Sequence, residues 1–319
     1  MNQNFHLNPN NDTRFSDVLN PWFVTGFTDA EGSFSVGISR NKEIKVGWVV
    51  KLSFQITLHQ KDKCLLEQIK TYLGVGSIYR QGKDIIQFQV SSKKDIKVII
   101  DHLDKYPLIT QKLADYILFK QAFELVLSQE HITPEGLQKI VAIKASMNRG
   151  LSDELKTAFP NIITVARPLG IGANAPEIKD PNWLAGFVDG DGCFFINIMN
   201  SASHSLGFSV NLVFKITQHS RDEQLMRSLV DYLDCGKVFI RSNNTALDFK
   251  ITKFLDLYDK VIPFFQKYPL HGVKNKDFVD LCKVAELMKN KAHLTEEGLD
   301  QIRKIKAGMN KGRQDGDGL

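Results

Sequence analysis

Two short apolar segments of the chain each end in closely spaced acidic residues before a glycine. The first, residues 21–32, ends in the letters DAEG, and the second, residues 181–192, ends in DGDG. The acids are Asp29 and Glu31 in the first segment and Asp189 and Asp191 in the second. A carboxylate is unfavourable at a helix C-terminus, where free carbonyls already carry partial negative charge. A solvated acidic cap could explain one such end, but its recurrence at matched positions indicates a functional role.

Small residues recur on the same segments at the spacing of one helix face. Gly26 and Ala30 are four residues apart, as are Gly186 and Gly190, which would let two helices pack closely; alternatively, they fit only a local core. If the helices pair, their acidic ends converge, and a bound cation relieves the repulsion. Hard oxygen ligands favour Mg²⁺ or a similar ion. Such a cation, held by two carboxylates and a phosphate, supports phosphodiester hydrolysis.

The acidic segments belong to an internal repeat that spans most of the 319 residues. Residues 54–59 (FQITLH) return as residues 214–219 (FKITQH), at the offset of 160 that also aligns the acidic segments. Later matches, such as KYPL at 105–108 and 267–270, are offset by 162. The chain is therefore a tandem duplication with a small insertion.

Each copy predicts the same order of elements. Asn20 and Asp180, each followed by proline, predict a helix N-cap, and the apolar helix ends at Gly32 or Gly192. Alternating and β-branched segments then predict four strands, interrupted by one amphipathic helix and followed by further helices. The order is αββαββα. The expected fold class is α+β, with two pseudo-symmetric halves, each a four-stranded antiparallel sheet backed by helices.

Composition suggests where the two copies begin and end. Residues 159–179 carry Pro160, Pro168 and Pro176 together with two glycines, which is typical of a linker. We therefore expect half-domains at 20–158 and 180–313, a disordered leader at 1–19 and a disordered tail at 314–319.

The charge of the chain is distributed unevenly over these elements. The total, 41 basic and 36 acidic side chains, is only +5. The strand-bearing windows 33–57, 76–94, 193–217 and 236–253 hold 13 basic and 3 acidic residues, which leaves +10 there and −5 elsewhere. A merely solvated sheet face does not predict this segregation, whereas a duplex-binding surface does.

Other classes of protein are disfavoured. The four cysteines, Cys64, Cys193, Cys235 and Cys282, lie far apart, so neither a zinc site nor a disulfide framework is expected. No apolar run reaches the ~18 residues of a membrane span, and the start of the chain has no apolar signal core. We expect a soluble intracellular protein with no membrane partner.

The segments 24–32 (VTGFTDAEG) and 184–192 (LAGFVDGDG) resemble the two motifs of single-chain LAGLIDADG homing endonucleases. The resemblance covers nearly the whole chain and is strongest to the group encoded in fungal mitochondrial introns. It implies two saddle-shaped sheets that bind the DNA major groove. It also implies a monomer that cleaves both strands of a long double-stranded target, leaving 3′ overhangs, and a mitochondrial location.

Carried over by position, the resemblance implies that Glu31 and Asp191 are the metal-binding catalytic carboxylates. The carbonyls of Ala30 and Gly190 are expected to assist as metal ligands, and Asp29 and Asp189 to have a structural, helix-capping role. The expected cofactor is Mg²⁺, with Mn²⁺ as a substitute; Ca²⁺ is expected to support binding without cleavage.

Polar residues that surround the attacking water are less sharply indicated. By position we nominate Lys51 and Asn211, which are equivalent across the repeat, and Arg241, with Arg80 or Gln81 opposite it. Each could equally be an ordinary contact to a phosphate or a base.

Strand alternation nominates the residues that face the DNA. In the first half they are Ser35, Gly37, Ser39, Arg40, Lys42, Lys51, Ser53, Gln55, Arg80, Gln81, Lys83, Gln87, Gln89 and Ser91. In the second they are Asn197, Asn211, Lys215, Lys237, Arg241, Asp248 and Lys250. Because the two sets differ, we expect an asymmetric target.

Two alternatives to the nuclease remain open. An RNA maturase would bind its own intron RNA, and a regulator of this fold would bind DNA without cleaving it. The two intact acidic positions favour the enzyme.

His59 and His219 recur just after a strand, where a structural hydrogen bond is a better explanation than metal ligation.

Overall fold

The two repeated apolar segments are helices, and both begin as their sequence predicts. The structure, a computed structural model, describes residues 18–168, 177–242 and 244–313. The Asn20 side chain accepts a hydrogen bond from the Trp22 amide, and Asp180 does the same for Asn182. Proline occupies the start of each helix, where its missing amide hydrogen costs nothing. Most of the expected leader, part of the linker and the tail lie outside the described residues, and the expected domain boundaries stay predictions.

The two halves carry nearly the same order of elements. The first half contains α1 (Pro21–Glu31), β1 (Gly32–Arg40), β2 (Trp48–His59), α2 (Lys63–Leu73), β3 (Ser77–Arg80), β4 (Ile85–Val90), α3 (Lys93–Lys105), α4 (Lys112–Leu127), α5 (Pro134–Ala145) and α6 (Asp153–Ala158). The second half contains α7 (Pro181–Asp191), β5 (Gly192–Asn200), β6 (Phe208–His219), α8 (Glu223–Leu233), β7 (Lys237–Ile240), β8 (Ala246–Ile251), α9 (Phe254–Asp256), α10 (Ile262–Lys267), α11 (Lys274–Lys289) and α12 (Glu296–Ala307). A π-helical turn, Leu257–Val261, joins α9 to α10. The halves share the same order of strands and helices up to α5 and α12, except that α9, the π-helical turn and α10 replace the single helix α3, and the first half adds α6.

Each half is built around one antiparallel sheet. The strand order is β1-β2-β4-β3 in the first half and β5-β6-β8-β7 in the second. One side of each sheet carries large buried residues, such as Phe54 and Phe88 in one half and Phe214 and Phe249 in the other. These side chains pack beneath the helices, so the α+β class and the predicted four-stranded sheets are confirmed.

The helices α1 and α7 pack on each other with direct backbone contact. A side chain on Gly26 would overlap the carbonyl oxygen of Trp183, and one on Gly186 would overlap that of Phe23. One turn further on, Gly190 lies against Ala30. The small-residue stripe is therefore the interface between the halves, as the spacing predicted, and both helices run toward the same edge of it.

In each half, an arginine donates hydrogen bonds to a buried aspartate. The arginine of the first half lies in the linker, and that of the second half lies near the end of that half. The Arg167 guanidinium donates to both carboxylate oxygens of Asp115, each at 2.8 Å. In the second half Arg313 donates to Asp277 at 2.8 Å.

Within the described residues, none of the helices combines the length and apolarity needed to cross a bilayer.

The helix contact makes a direct prediction about stability. We expect Gly26→Ala to lower the free energy of unfolding by about 1–3 kcal/mol, because the added methyl group meets the rigid backbone of Trp183. Gly308→Ala is the matched control, since the nearest atom to its new Cβ, the Ile305 carbonyl oxygen, lies 3.6 Å away. Urea unfolding measures both variants; equal effects would contradict the backbone contact.

Candidate active site

The acids at the ends of α1 and α7 meet at one edge of the helix interface. Glu31 and Asp191 are the last residues of their helices, and each is half-buried. The Glu31 Cγ atom borders the Gly190 backbone, which shows how closely the two helix ends approach. The glycines that follow turn directly into β1 and β5, so the acid pair lies where the two sheets begin.

The position of the acid pair is electrostatically unfavourable for two carboxylates. Burial raises the pKa of Glu31, and the charge of Asp191 raises it further. Burial also raises the pKa of Asp191, although a hydrogen bond from the Gln218 amide and two nearby lysines oppose the shift. The site therefore favours any positive charge that enters it.

Two half-buried lysines supply positive charge at the helix ends. Lys112, at the start of α4, donates to the carbonyl oxygens of Thr28 at 3.0 Å and Ala30 at 2.9 Å. Lys274, at the start of α11, makes the equivalent contacts with Val188 and Gly190 at 3.2 and 2.5 Å. Burial lowers the pKa of both ammonium groups, and the nearby carboxylates oppose that shift.

The two ends of the site are not identical. Gln218 donates its side-chain amide to Asp191, whereas the equivalent position in the first half is Leu58. A cavity of about 250 Å³ opens on the Glu31 side, and Leu58, Asp62, Asp189 and Lys274 are among the residues that line it. The longer Glu31 thus faces open space without an amide partner at the matched position.

The other repeated acids, Asp29 and Asp189, anchor the loops that precede the lysines. Asp29 accepts hydrogen bonds from the Ile109 and Thr110 amides, the Thr110 hydroxyl and the Trp183 indole, at 2.6–3.2 Å. Among the residues that the structure describes, Asp189 accepts the His271 and Gly272 amides alone, each at 2.7 Å, and its buried Oδ1 atom has no hydrogen-bond partner there. These contacts agree with the expected structural role. The acids, however, hold the loops that precede α4 and α11 and not the ends of their own helices.

Two more aspartates tie the lysine helices across the interface. Asp62, in the first half, accepts the Val273 amide at 2.8 Å, next to Lys274. Asp222, in the second half, accepts the Gln111 amide at 2.7 Å, next to Lys112. Each half therefore holds the start of the helix that carries the other half's lysine.

The residues at this edge have the chemistry of a site for a hard cation. In the described ranges no cluster of three or more His, Cys, Asp or Glu side chains forms a complete metal-binding group. The acid pair offers carboxylate oxygens in an environment that raises both pKa values, and oxygen donors are what Mg²⁺ and Ca²⁺ prefer. The Ala30 and Gly190 carbonyls, expected as ligands, already accept hydrogen bonds from ammonium groups.

This duplicated arrangement matches a known family. A profile described as "LAGLIDADG endonuclease" matches residues 24–123 and 184–285, one segment in each half, and together these make up more than half of the chain. The chain belongs to the LAGLIDADG endonuclease family.

Relatives of known structure extend this family assignment over the whole fold. The I-SmaMI LAGLIDADG homing endonuclease, solved bound to cleaved DNA, is 48% identical, with a TM-score of 0.90, and the match covers 93% of this chain and 98% of that one. I-SmaMI has also been solved on an uncleaved target in the presence of calcium ions.

Sequence relatives come from fungal introns. Probable intron-encoded endonucleases 3 and 2 of Neurospora crassa are 43% and 41% identical to this LAGLIDADG protein over 89% and 90% of its chain. The matches cover 53% and 64% of those longer relatives, so the chain spans between half and two thirds of their length.

The structure does not bring two of the residues nominated for the surroundings of the attacking water, Lys51 and Asn211, to the acid pair. Lys51 pairs with Gly37 and Asn211 with Asn197, whereas the acid pair lies before Gly32 and Gly192. That separation is five residues along each strand, or about 17 Å at ~3.4 Å per residue. The strands lead away from the helix ends, so these two side chains lie too far from Glu31 and Asp191.

Arg241, Arg80 and Gln81 lie at the ends of the sheets nearer the acid pair, but their side chains hydrogen-bond to other residues. Arg241 donates to Asp248 at 2.8 Å and to Thr217 at 3.2 Å. Gln81 is its equivalent and donates to Gln87 at 2.9 Å. Arg80 pairs in register with the buried Ile86, and its guanidinium donates to the Lys83 carbonyl in the adjacent turn.

Most other nominated residues lie on the outer sheet faces, opposite the helices. They alternate with core residues along their strands: Ser35, Gly37, Ser39, Lys51, Ser53, Gln55, Gln87 and Gln89 in the first sheet, and Asn197, Asn211, Lys215, Lys237, Asp248 and Lys250 in the second. Arg40 is the last residue of β1 and forms an ion pair with Glu154 at 3.0 Å. Lys42 is exposed in the turn that follows β1. DNA contact by these residues stays a prediction.

Sequence reasoning missed Lys112, Lys274 and Gln218. A signal for the lysines was present, because residues 105–112 (KYPLITQK) and 267–274 (KYPLHGVK) repeat with lysine at both ends. Gly192, which follows Asp191, pairs with Ile216, and β6 continues from there to Gln218. Only this strand register shows that Gln218 lies near the acid pair. His59 and His219 each accept the amide two residues ahead at 3.2 Å, which confirms the structural hydrogen bond predicted for them.

The unequal hydrogen bonding of the two buried aspartates predicts opposite mutational effects. Asp29→Asn should lower the free energy of unfolding by about 1–3 kcal/mol, because an amide cannot accept all the donors that converge on that carboxylate. The matched variant, Asp189→Asn, should be neutral or stabilising at pH 7.5, because it removes a buried charge with an unpaired oxygen. A larger loss for Asp189→Asn would contradict this assignment.

The gain from Asp189→Asn should depend on pH. Burial raises the pKa of Asp189 to about 6 from its ordinary 3.8. The folded protein therefore takes up this proton before the unfolded chain does, and the corresponding stability is lost as pH rises through about 6. The difference between variant and wild type should widen from pH 5 to pH 8 in urea titrations, and a constant difference would contradict it.

Proposed function

We propose that this protein is a divalent-metal-dependent, site-specific endonuclease that cleaves both strands of a long, asymmetric double-stranded DNA target. The observation that carries the proposal is the pair of half-buried carboxylates, Glu31 and Asp191, beside the half-buried lysines Lys112 and Lys274. This group lies where two sheets with largely polar outer faces begin. A duplex that contacts both sheets would present its phosphates to the acid pair.

The acid pair is the natural place for the metal. Glu31 and Asp191 would hold it, and because burial raises the pKa of both carboxyl groups against the opposing effect of Lys112 and Lys274, a further positive charge beside them would favour their ionised forms. A divalent cation bound there supplies Lewis-acid polarisation of the phosphate and lowers the pKa of a bound water. We propose Mg²⁺ for this role, and the structure of I-SmaMI on an uncleaved target in the presence of calcium ions supports a divalent ion.

The protein's own groups orient the site and balance its charge. Lys112 and Lys274 hold the last carbonyls of α1 and α7, so the helix ends cannot fray when substrate binds. Their ammonium groups also place positive charge near the negative charge that develops on the phosphate. Gln218 fixes one oxygen of Asp191, which leaves the other oxygen for the cation.

The same features choose between the open alternatives. A maturase or a non-cleaving DNA-binding protein needs no buried carboxylates at the junction of its sheets, yet both acids and both lysines are present here. We propose that the protein acts as a monomer, because one chain supplies both halves of the site, and that it leaves 3′ overhangs, as the family resemblance implies. The similarity to fungal intron-encoded endonucleases supports a mitochondrial location.

The function is tested with purified protein and a plasmid library of randomised targets in Mg²⁺. Wild type should linearise selected plasmids, and Glu31→Gln and Asp191→Asn should each slow linearisation by at least about 100-fold, because each removes a metal-holding charge. Both variants should keep their affinity in Ca²⁺ within about tenfold. Glu67→Gln and Asp300→Asn, which change exposed carboxylates in surface ion pairs, are the matched controls.

The outcomes separate the candidate functions. Undiminished cutting by either acid variant would contradict the assigned roles of these residues. Sequence-specific binding by wild type without any cutting would favour the non-cleaving regulator, and stimulation of intron splicing without cutting would favour the maturase.

The lysines should act on separate strands. Lys112→Met and Lys274→Met should each slow one cleavage by about 100-fold, because each ammonium group lies at a different helix end. Nicked circles should then accumulate, with the nick in opposite strands for the two variants. Lys139→Met, an exposed lysine paired with Glu130, is the control; equal slowing of both strands by either variant would contradict the assignment.

A further inference from the structure

Three lysines lie side by side across the outer face of the second sheet. Lys215 on β6 is directly opposite Lys250 on β8, and Lys250 is opposite Lys237 on β7. The neighbouring residues Phe214, Ile216 and Phe249 are fully buried, so the lysines point away from the helices. We call Lys215, Lys250 and Lys237 the lysine row.

The lysine row carries net positive charge, which the Asp248 carboxylate of the next row offsets only in part through its interaction with Lys215. In the described part of the chain, none of its three members forms an ion pair with a carboxylate. Lys215 and Lys250 instead place their ammonium groups 6.0 and 5.3 Å from the rings of Phe195 and Phe239. Like charges directly opposite one another destabilise a sheet. The row therefore favours a partner that brings several hydrogen-bond acceptors at once.

The matched row of the first sheet is neutral. Gln55 is opposite Gln89, and Gln89 is opposite Ser77, at the positions that carry the three lysines in the second sheet. The amide groups are engaged locally, since Gln55 donates to the Ser53 hydroxyl at 3.0 Å and accepts from Gln87 at 3.3 Å. The same place on the two sheets thus presents amides in one half and ammonium groups in the other.

The next row shows the same division. In the first sheet Gln87 pairs with Gln81 through their amides at 2.9 Å. In the second sheet the equivalent pair is charged, with Arg241 donating to Asp248 at 2.8 Å. The difference between the halves is therefore a property of neighbouring rows and not of a single position.

Position in the sheet distinguishes base contacts from phosphate contacts. Lys215 and Lys250 are half-buried and lie on the inner strands β6 and β8, whereas Lys237 is exposed on the edge strand β7. If the middle of the sheet lies over the base edges of the major groove, Lys215 and Lys250 on the inner strands are placed to reach bases, and Lys237 at the sheet edge is placed to reach a flanking phosphate. Lysine donates to guanine O6 and N7, and glutamine pairs with adenine N6 and N7.

We infer that the two sheets read half-sites of different composition. The second sheet reads neighbouring guanines through Lys215 and Lys250, and Lys237 contacts a phosphate beside them. The first sheet reads adenines through Gln55 and Gln89. This inference rests on the proposed function only in taking double-stranded DNA as the substrate, and it makes the half-site of the second sheet the richer in G·C pairs.

The first test needs no variant. Wild type is allowed to select sites from a randomised library in Ca²⁺, and the selected site is then probed by dimethyl sulfate interference. Methylation of guanine N7 should block binding at neighbouring positions in the half-site of the second sheet and should have little effect in the other half-site. Selected sites without guanine in that half, or without N7 interference there, would overturn the inference.

The second test moves the chemistry between the sheets. Lys215→Gln combined with Lys250→Gln should change the selected bases from guanine to adenine and reduce discrimination by about tenfold at each position. Gln55→Lys combined with Gln89→Lys should enrich guanine in the other half-site. Lys97→Gln combined with Lys139→Gln removes the same charge from exposed helix positions and should leave base preference unchanged. Melting temperatures show that each variant is folded.

The alternative outcomes are distinguishable. If Lys215 and Lys250 contact phosphates, their double variant will bind all sequences equally weakly, with the slope of log affinity against log salt reduced by about 2, and the inference fails. Specific binding without cleavage in Mg²⁺ would contradict the nuclease function and leave the base preferences to decide the inference. Absence of any sequence preference in wild type would overturn both.

Discussion

The direct backbone contact between α1 and α7 is the constraint on which the rest of this molecule depends. Two helices can approach so closely only where neither carries a side chain, which is why Gly26 and Gly186 lie opposite the carbonyl oxygens of Trp183 and Phe23. The contact joins the halves and brings Glu31 and Asp191 to one edge. It also fixes where the sheets begin, because the glycine after each helix turns directly into a strand.

Bringing two helix C-termini together concentrates negative charge, since free carbonyls and carboxylates meet there. The fold answers with Lys112 and Lys274, each half-buried and hydrogen-bonded to carbonyls in the last turn of one helix. Their own helices begin at amides held by Asp222 and Asp62 of the opposite half. The site is therefore held by reciprocal contacts across the interface, and neither half contains all the groups that position its own lysine.

Duplication has produced a symmetric frame with unequal chemistry. Asp29 receives an indole and a hydroxyl donor from Trp183 and Thr110, whereas the matched positions for Asp189 are Phe23 and Gly272. Gln218 contacts Asp191, but Leu58 stands at the equivalent place near Glu31. The lysine row and its glutamine counterpart extend this inequality to the sheet surfaces. Backbone geometry is shared between the halves, while the side chains around the acid pair and on the outer sheet faces differ between them.

Periodic features of the sequence were enough to predict the repeat, the order αββαββα, the N-caps and the acid pair, because each depends on local spacing along one chain. The α1–α7 interface also followed, since small residues four apart lie on one helix face. The surroundings of the acids did not, and Lys51 and Asn211 were misplaced because strand register sets distance from the helix ends. Lys112 and Lys274 lie about 80 residues from the carbonyls that they bind. Only the packing of α4 against α1 and of α11 against α7, each within its own half, brings those groups together, and no local pattern encodes such a long-range contact.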